Sequence, residues 1–319
     1  MPIWCRYSLI LLVLCILYLT PALFSGEAHL EWYILVYIKL PICLTAIAVG
    51  TSISVASAAL QVSLNNPLAD PGIIGISSGA SLMAALFLVF VSSLGIMPTE
   101  VFYVHSIYLL PILCFIGASI SGFLIYVVAT KVGGAIASFI LAGIAISTAF
   151  SAIVGWIYLV APPQALQSLT FWLMGSLHYT NYSSLSIALL LMIFGLIMLG
   201  KCATQLNMMY LGEQTANVAG VNAKSLQTRV FICVALLVGV SVSIAGSIAF
   251  LGLLVPHAIR KLHGFDNRKV FLYAGFLGSI VIMLCALINE YLFDTAVPLS
   301  MLTASIGAPM FVYVLFSRN

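Results

Sequence analysis

The sequence predicts an all-α polytopic membrane protein with about ten transmembrane helices, and three observations carry that prediction. The chain is 63% hydrophobic and 6% charged, with a mean hydropathy of +1.21, whereas soluble domains carry about a quarter charged residues. Its 11 basic and 8 acidic side chains cannot cover a water-facing surface for 319 residues. Apolar stretches recur at span length, about 20 residues each, with short polar breaks between them. That spacing leaves no room for a separate soluble domain, so residues 1–319 read as one membrane domain.

Ten apolar segments follow in order: 3–24, 40–63, 76–94, 106–130, 138–160, 183–200, 230–245, 247–262, 270–293 and 300–316. The first has the ingredients of a secretory signal: Arg6, an apolar run from Leu9 to Leu19, then Ser25-Gly26. A membrane span is the preferred reading because the rest of the chain is membrane too. The eighth is short and bears Gly and Pro, as expected of a tilted or partly re-entrant helix held within protein. Placing the N-terminus in the cytoplasm and alternating puts ten of the eleven basic residues inside, with Lys39 alone outside. Glu27, Glu31, Glu100, Glu290 and Asp294 then fall outside. This is the distribution the positive-inside rule requires, with both termini cytoplasmic.

Three polar stretches interrupt the pattern. Asn66-Pro67-Leu68-Ala69-Asp70-Pro71-Gly72 lies at a membrane boundary and must line protein or water, because lipid cannot satisfy its backbone. Asp70 beside two prolines is expected to cap the local turn. Residues 161–182 carry Pro162-Pro163 and an amphipathic stretch to Trp172, read as an interfacial helix with an aromatic anchor. Residues 202–228 form the one extended polar loop. In it Gly212 and Gly220 bracket a helix of about two turns, with Glu213 in the first turn where the helix dipole favours it. That helix is either a docking element for a partner or a plain solvated connector.

Catalytic chemistry is hard to find. Gly195 to Cys202 has the spacing of a phosphate-binding loop, but Cys202 replaces the required Ser or Thr, and the run ends a membrane span. The chain is therefore not expected to hydrolyse ATP. The seven cysteines include no C-x-x-C pair and read as small buried hydrophobes. His29, His105, His178, His257 and His263 show no metal-ligand spacing. His257, after Pro256, is either a proton relay or a hydrogen-bonded structural side chain. Glu290 and Asp294, one helical turn apart, are either interfacial or a cation site. No cofactor, metal or nucleic acid is expected, and no nucleophile–base set marks an enzyme.

Four segments together resemble the permease subunits of ATP-binding-cassette importers for iron–siderophore, haem and cobalamin. They are residues 66–80, Phe171-Trp172-Leu173-Met174-Gly175-Ser176-Leu177, the loop 206–221, and residues 246–257 continuing through Arg260, Gly264, Asp266 and Arg268. The run from Pro298 to Pro309 is similar to the family's ending. The resemblance implies a type II importer permease architecture in a bacterial inner membrane. It implies a second permease subunit, identical or sibling, two separate ATPase subunits, and a periplasmic or lipid-anchored substrate-binding protein. It implies that Leu211, Gly212, Glu213, Ala216 and Gly220 couple to the ATPase, and that Asn66, Pro67 and Leu68 help close a cytoplasmic gate. Ferric siderophore is the expected cargo, with haem and cobalamin open.

One stretch departs from the family. Its second span usually begins Arg-Leu-Pro-Arg, and here Lys39-Leu40-Pro41-Ile42 keeps one cation as Lys and loses the other. Lys lacks the bidentate fork of Arg, so docking of a binding protein through Lys39, Glu290 and Asp294 should be weaker in polar terms, or docking should use other residues. A proton- or sodium-driven transporter would instead need ionisable residues near mid-span, and almost none are present.

Overall fold

A computed structural model describes residues 3–20, 28–93, 100–133, 136–178, 180–293 and 295–316. Helices α1 Ile3–Leu19, α2 Ala28–Tyr33, α3 Leu40–Ser63, α4 Pro71–Ile74, α5 Ile76–Ser93, α6 Glu100–Lys131 and α7 Ile136–Val160 form the first half. Helices α8 Pro163–Leu173, α9 Tyr182–Tyr210, α10 Glu213–Val218, α11 Ala223–Ala245, α12 Leu251–His263, α13 Asn267–Leu292 and α14 Leu299–Phe316 form the second. A π-helical turn, Ile34–Lys39, joins α2 to α3. Within it Leu40 N donates five residues back to Leu35 O, and the bypassed Val36 O accepts from the Tyr182 hydroxyl.

Six helical runs among the described residues are long and apolar enough to cross a membrane: Leu30–Ser63, Leu109–Lys131, Ala137–Val160, Tyr182–Tyr210, Ala223–Ala245 and Asn267–Leu292. Ile3–Leu19, Ile76–Val91 and Leu299–Pro309 are shorter apolar helices. The remaining apolar segment, the eighth, is broken. Residues 246–250 are non-helical and only α12 is helix, which runs unbroken through Pro256.

α3 is the axis of the bundle. Of its 24 residues 20 are buried, most of them Ala, Ser, Gly and Val, and it packs against α9, α11, α12 and α13. Small residues let these backbones approach closely. At the α3–α13 crossing a Cβ on Gly50 would lie 2.5 Å from the Gly278 carbonyl oxygen. Gly79 on α5 meets Gly117 on α6 the same way.

The broken stretch finds its backbone partners inside the protein. The Ser300 hydroxyl donates to Ser247 O (2.7 Å) and accepts from Ala249 N (3.3 Å). Ser176 N donates to Ala245 O (2.9 Å), and Leu299 N to Gly175 O (3.0 Å). The ends of α8 and α11 and the start of α14 are thus stitched into one non-helical junction.

Two sequence expectations change. The helix after Pro162-Pro163 exists, but Trp172 is 4% exposed and belongs to the core. Ala165, Leu169 and Trp172 share one helical face and all turn inward, so Trp172 is not an interfacial anchor. The loop expected over 202–228 is mostly helix. Cys202, Ala203, Leu206 and Met209 continue the buried face of α9, and α11 begins at Ala223, leaving residues 211–222 between them.

The two ends of the bundle are separable by contact. At one end the Tyr7 hydroxyl meets His263 Nε2 (3.0 Å), Arg268 Nη2 donates to Thr204 Oγ1 (2.8 Å), and Tyr210 stacks on Phe265 at 5.0 Å. At the other, Tyr291 donates to Leu17 O (2.9 Å) and the Tyr182 hydroxyl to Val36 O. Lys39 pairs with Glu290 at this second end.

Gly50→Ala should destabilise the fold by about 1–3 kcal/mol through overpacking against α13. Gly155→Ala, whose Cβ would meet nothing within 4 Å, should be neutral or stabilising. Thermal unfolding of the two purified variants in detergent checks the contrast.

Candidate functional site

The end that gathers Tyr7, Thr204, Tyr210 and His263 also carries the short helix α10 and the polar segment after α3. α10 is set off by two glycines with positive φ. Gly212 (φ +112°) starts it, and Gly220 (φ +83°) closes it with paired bonds from Val221 N to Ala216 O (2.9 Å) and Gly220 N to Asn217 O (3.1 Å). This is a Schellman ending, whose left-handed residue is normally Gly.

The expected coupling residues divide by the face they occupy. Ala216 is 0% exposed and seats α10 on its own chain, so it is an anchor and not a contact surface. Leu211 (65% exposed), Glu213, Gln214, Asn217 and Val218 (92% exposed) form the outward face. Val218 was missed in the sequence, although an apolar side chain in an otherwise polar turn is a usable signal of a docking surface.

Asn66, Pro67 and Leu68 sit where α3 stops. Asn65 adopts φ +40° and ends the helix, with Asn66 N donating to Gln61 O (2.9 Å). The Asn66 side chain accepts from Leu68 N (2.9 Å), a local turn that leaves Pro67 and Leu68 exposed. Asp70 caps α4 as expected, accepting from Gly72 N at 2.8 Å. A cleft of about 510 Å³ opens beside this turn, lined by Gln61, Asn66, Pro67, His257, Arg260 and Lys261, among others.

Nearby, α9 is tied to the start of α13. Asn207 donates to Asp266 Oδ1 (2.9 Å) and accepts from Asn267 N (2.8 Å), while Asp266 caps α13 through Arg268 N (3.1 Å). The Asn207 amide, more than the neighbouring cations, holds the Asp266 carboxyl below its usual range.

At the opposite end the charges read as a docking set meet each other. Lys39 is 6% exposed; its Nζ donates to Glu290 Oε1 (2.8 Å) and Tyr18 O (3.2 Å), and lies 5.2 Å from the Tyr18 ring centre. The π-turn rotates Lys39 inward, so in this conformation it offers a partner no cation. Glu290 remains partly exposed on the rim of a 240 Å³ cleft with Asn289 and His178. Asp294 lies outside the described residues. Among the described residues no group of His, Cys, Asp and Glu could hold a metal. The stretch Gly195–Cys202 lies within α9 and is no phosphate-binding loop.

Residues 9–317 match the model of the FecCD transport family. The chain belongs to that family. It is the membrane-embedded permease subunit of an ATP-binding-cassette importer, and ATP hydrolysis resides on a separate subunit. It is 34% identical to the hemin transport system permease protein HmuU of Yersinia pestis, over 90% of this chain and 84% of that one. It is 32% identical to the vitamin B12 import system permease protein BtuC of Vibrio cholerae, over 99% and 95%. A solved structure of a metal-chelate type ABC transporter in an inward-facing conformation superposes with a TM-score of 0.88 and 27% identity, covering 99% of each chain.

Breaking the Lys39–Glu290 pair by Lys39→Met should cost about 1–3 kcal/mol, because a partly buried carboxylate loses its cation. The double variant Lys39→Met with Glu290→Gln should recover part of that loss, as a thermal-unfolding double-mutant cycle would show. The depressed carboxyl of Asp266 stabilises the native state above the ordinary carboxylate range, and that contribution disappears as pH falls through its native value. Asp266→Asn should therefore lower the unfolding temperature at neutral pH, and the gap from the parent should close in acid.

Proposed function

We propose that this subunit carries an iron chelate across a bacterial inner membrane through ten spans, with both termini cytoplasmic. The observation that supports it most directly is the exposed face of α10, on an FecCD-family chain whose ten apolar segments each contain a helix among the described residues. The basic bias of the connections favours the cytoplasm as the side of Tyr7, α10 and Arg268.

In this reading the loaded binding protein docks at the end bearing Glu290. ATP closes two ATPase subunits, whose motion enters the permease pair through Leu211, Gly212, Glu213, Val218 and Gly220. Asn66, Pro67 and Leu68 form the cytoplasmic gate that opens and closes in response. The permease holds its cargo weakly and affinity belongs to the binding protein, which suits a chain with few charges to converge on a ligand. Ferric siderophore is the first reading for the cargo. Hemin is the second, favoured by the 34% identity to a hemin permease.

Uptake into proteoliposomes containing the chain, the ATPase and the binding protein encoded beside it should be ATP-dependent for ferric siderophore or hemin. ATP-driven uptake of cobalamin alone would overturn the iron assignment, and uptake driven by an ion gradient would overturn the mechanism. Val218→Arg should reduce ATP-driven uptake about ten-fold or more, the size of a docking hot spot. Its stability should change by less than about 0.5 kcal/mol; unimpaired uptake would remove α10 from the coupling path.

A further inference from the structure

α12 carries Arg260 into the protein beside the last turns of α3. Among the described residues its guanidinium is held by neutral groups: Nη1 donates to Gln61 Oε1 and Nη2 to Ala58 O (2.8 Å), while Nε is buried without a partner. Gln61 is itself buried, and its Nε2 donates to Gly252 O (3.1 Å) at the other end of α12. One amide thus grips α12 at residues eight positions apart. The amide suits both arms, because one needs a donor and the other an acceptor, and a carboxylate could supply only the acceptor.

The same residue holds the turn after α3, since its main-chain carbonyl accepts from Asn66 N. Gly252 is pressed from two sides as well. A Cβ there would collide with the Ser57 hydroxyl of α3 and the Asp70 carboxylate at the end of the gate segment. The 510 Å³ cleft lies against this arrangement, so the groups around Gln61 have open space to move into. Closely packed cores lack such freedom.

From this geometry we propose that Gln61 is the positioning residue of the cytoplasmic gate, clamping α12 to the Asn66–Leu68 turn so that the two move together. The proposal rests on reading Asn66, Pro67 and Leu68 as that gate. Displacement of α12 pulls on Gln61 through both arms and reaches Asn66 through one main-chain bond. An amide that releases Arg260 must leave the guanidinium to water in the cleft, which gives the clamp two discrete arrangements.

The test uses the assembled importer in proteoliposomes, with its native cysteines replaced and Leu68→Cys introduced at an exposed gate position. Reaction with a membrane-impermeant maleimide on the cytoplasmic side is compared with and without ATP. In the parent the rate should change with ATP; if it does not, the gate reading falls and the clamp with it. Gln61→Met removes both arms, whereas Gln61→Glu keeps an acceptor for Arg260 and loses the donor to Gly252. Each should abolish the ATP dependence of labelling and lower cargo moved per ATP about ten-fold, within the usual span of coupling energies. A merely structural Gln61 would lower protein yield or melting temperature and leave the ATP dependence intact. An ATP-dependent parent with equal dependence in either folded variant overturns the clamp and spares the gate.

Discussion

Hydrocarbon supplies no hydrogen bonds, so every backbone group at membrane depth must find its partner within the protein. That requirement explains the placement of the irregular segments. The π-helical turn at Ile34–Lys39 leaves Val36 O to the Tyr182 hydroxyl. The non-helical stretch after α11 is tolerated because Ser300 bonds to Ser247 and Ala249, while α8 and α14 close the other groups. The turn after α3 satisfies itself through Asn66 and the Asp70 cap. In each irregular segment side chains substitute for missing ladder bonds.

Close packing supplies the complementary rigidity. Lipid is as apolar as leucine, so helices in a membrane associate through van der Waals fit and polar contacts. The small residues of α3 bring four neighbouring helices close to one axis. Among the described residues, three of its buried hydroxyls, on Ser52, Ser54 and Ser57, have no hydrogen-bond partner. Buried polar atoms are nearly always satisfied, so this hydroxyl-lined surface of α3 is an exception. It adjoins Gly252 and Gly278, where α12 and α13 press closest.

Much of this was legible in the residues. Apolar runs of span length located every long helix, but the non-helical stretch before α12 was not foreseen, since the segment reads as one tilted or partly re-entrant helix. The glycines at 212 and 220 framed α10 because a left-handed turn leaves little choice of residue. Facing directions were not legible. Nothing in the sequence says that Ala216 turns inward while Val218 turns out, since a helix of six residues has too little periodicity. The inward turn of Lys39 depends on a π-helical register that Pro41 permits but does not specify. Trp172 and the continuation of α9 to Tyr210 were misread because apolar residues that pack on protein resemble those that face an interface. Pairings between distant residues, such as Asn207 with Asp266 or Gln61 with Arg260, exist only once the helices are assembled.

The brevity of α12 bears on how the chain enters the membrane during synthesis. With 13 residues, the last turn of which carries Arg260, Lys261 and His263, it is shorter than the ~20 residues that a helix needs to cross the membrane alone. Its main packing partners are α3, which precedes it in the chain, and α13, which follows it, so its seat is complete only once the strongly apolar α13 is in place. Placement of α12 is thereby tied to that of α3 and α13, and lesions that loosen α13 would surface first as a misplaced α12.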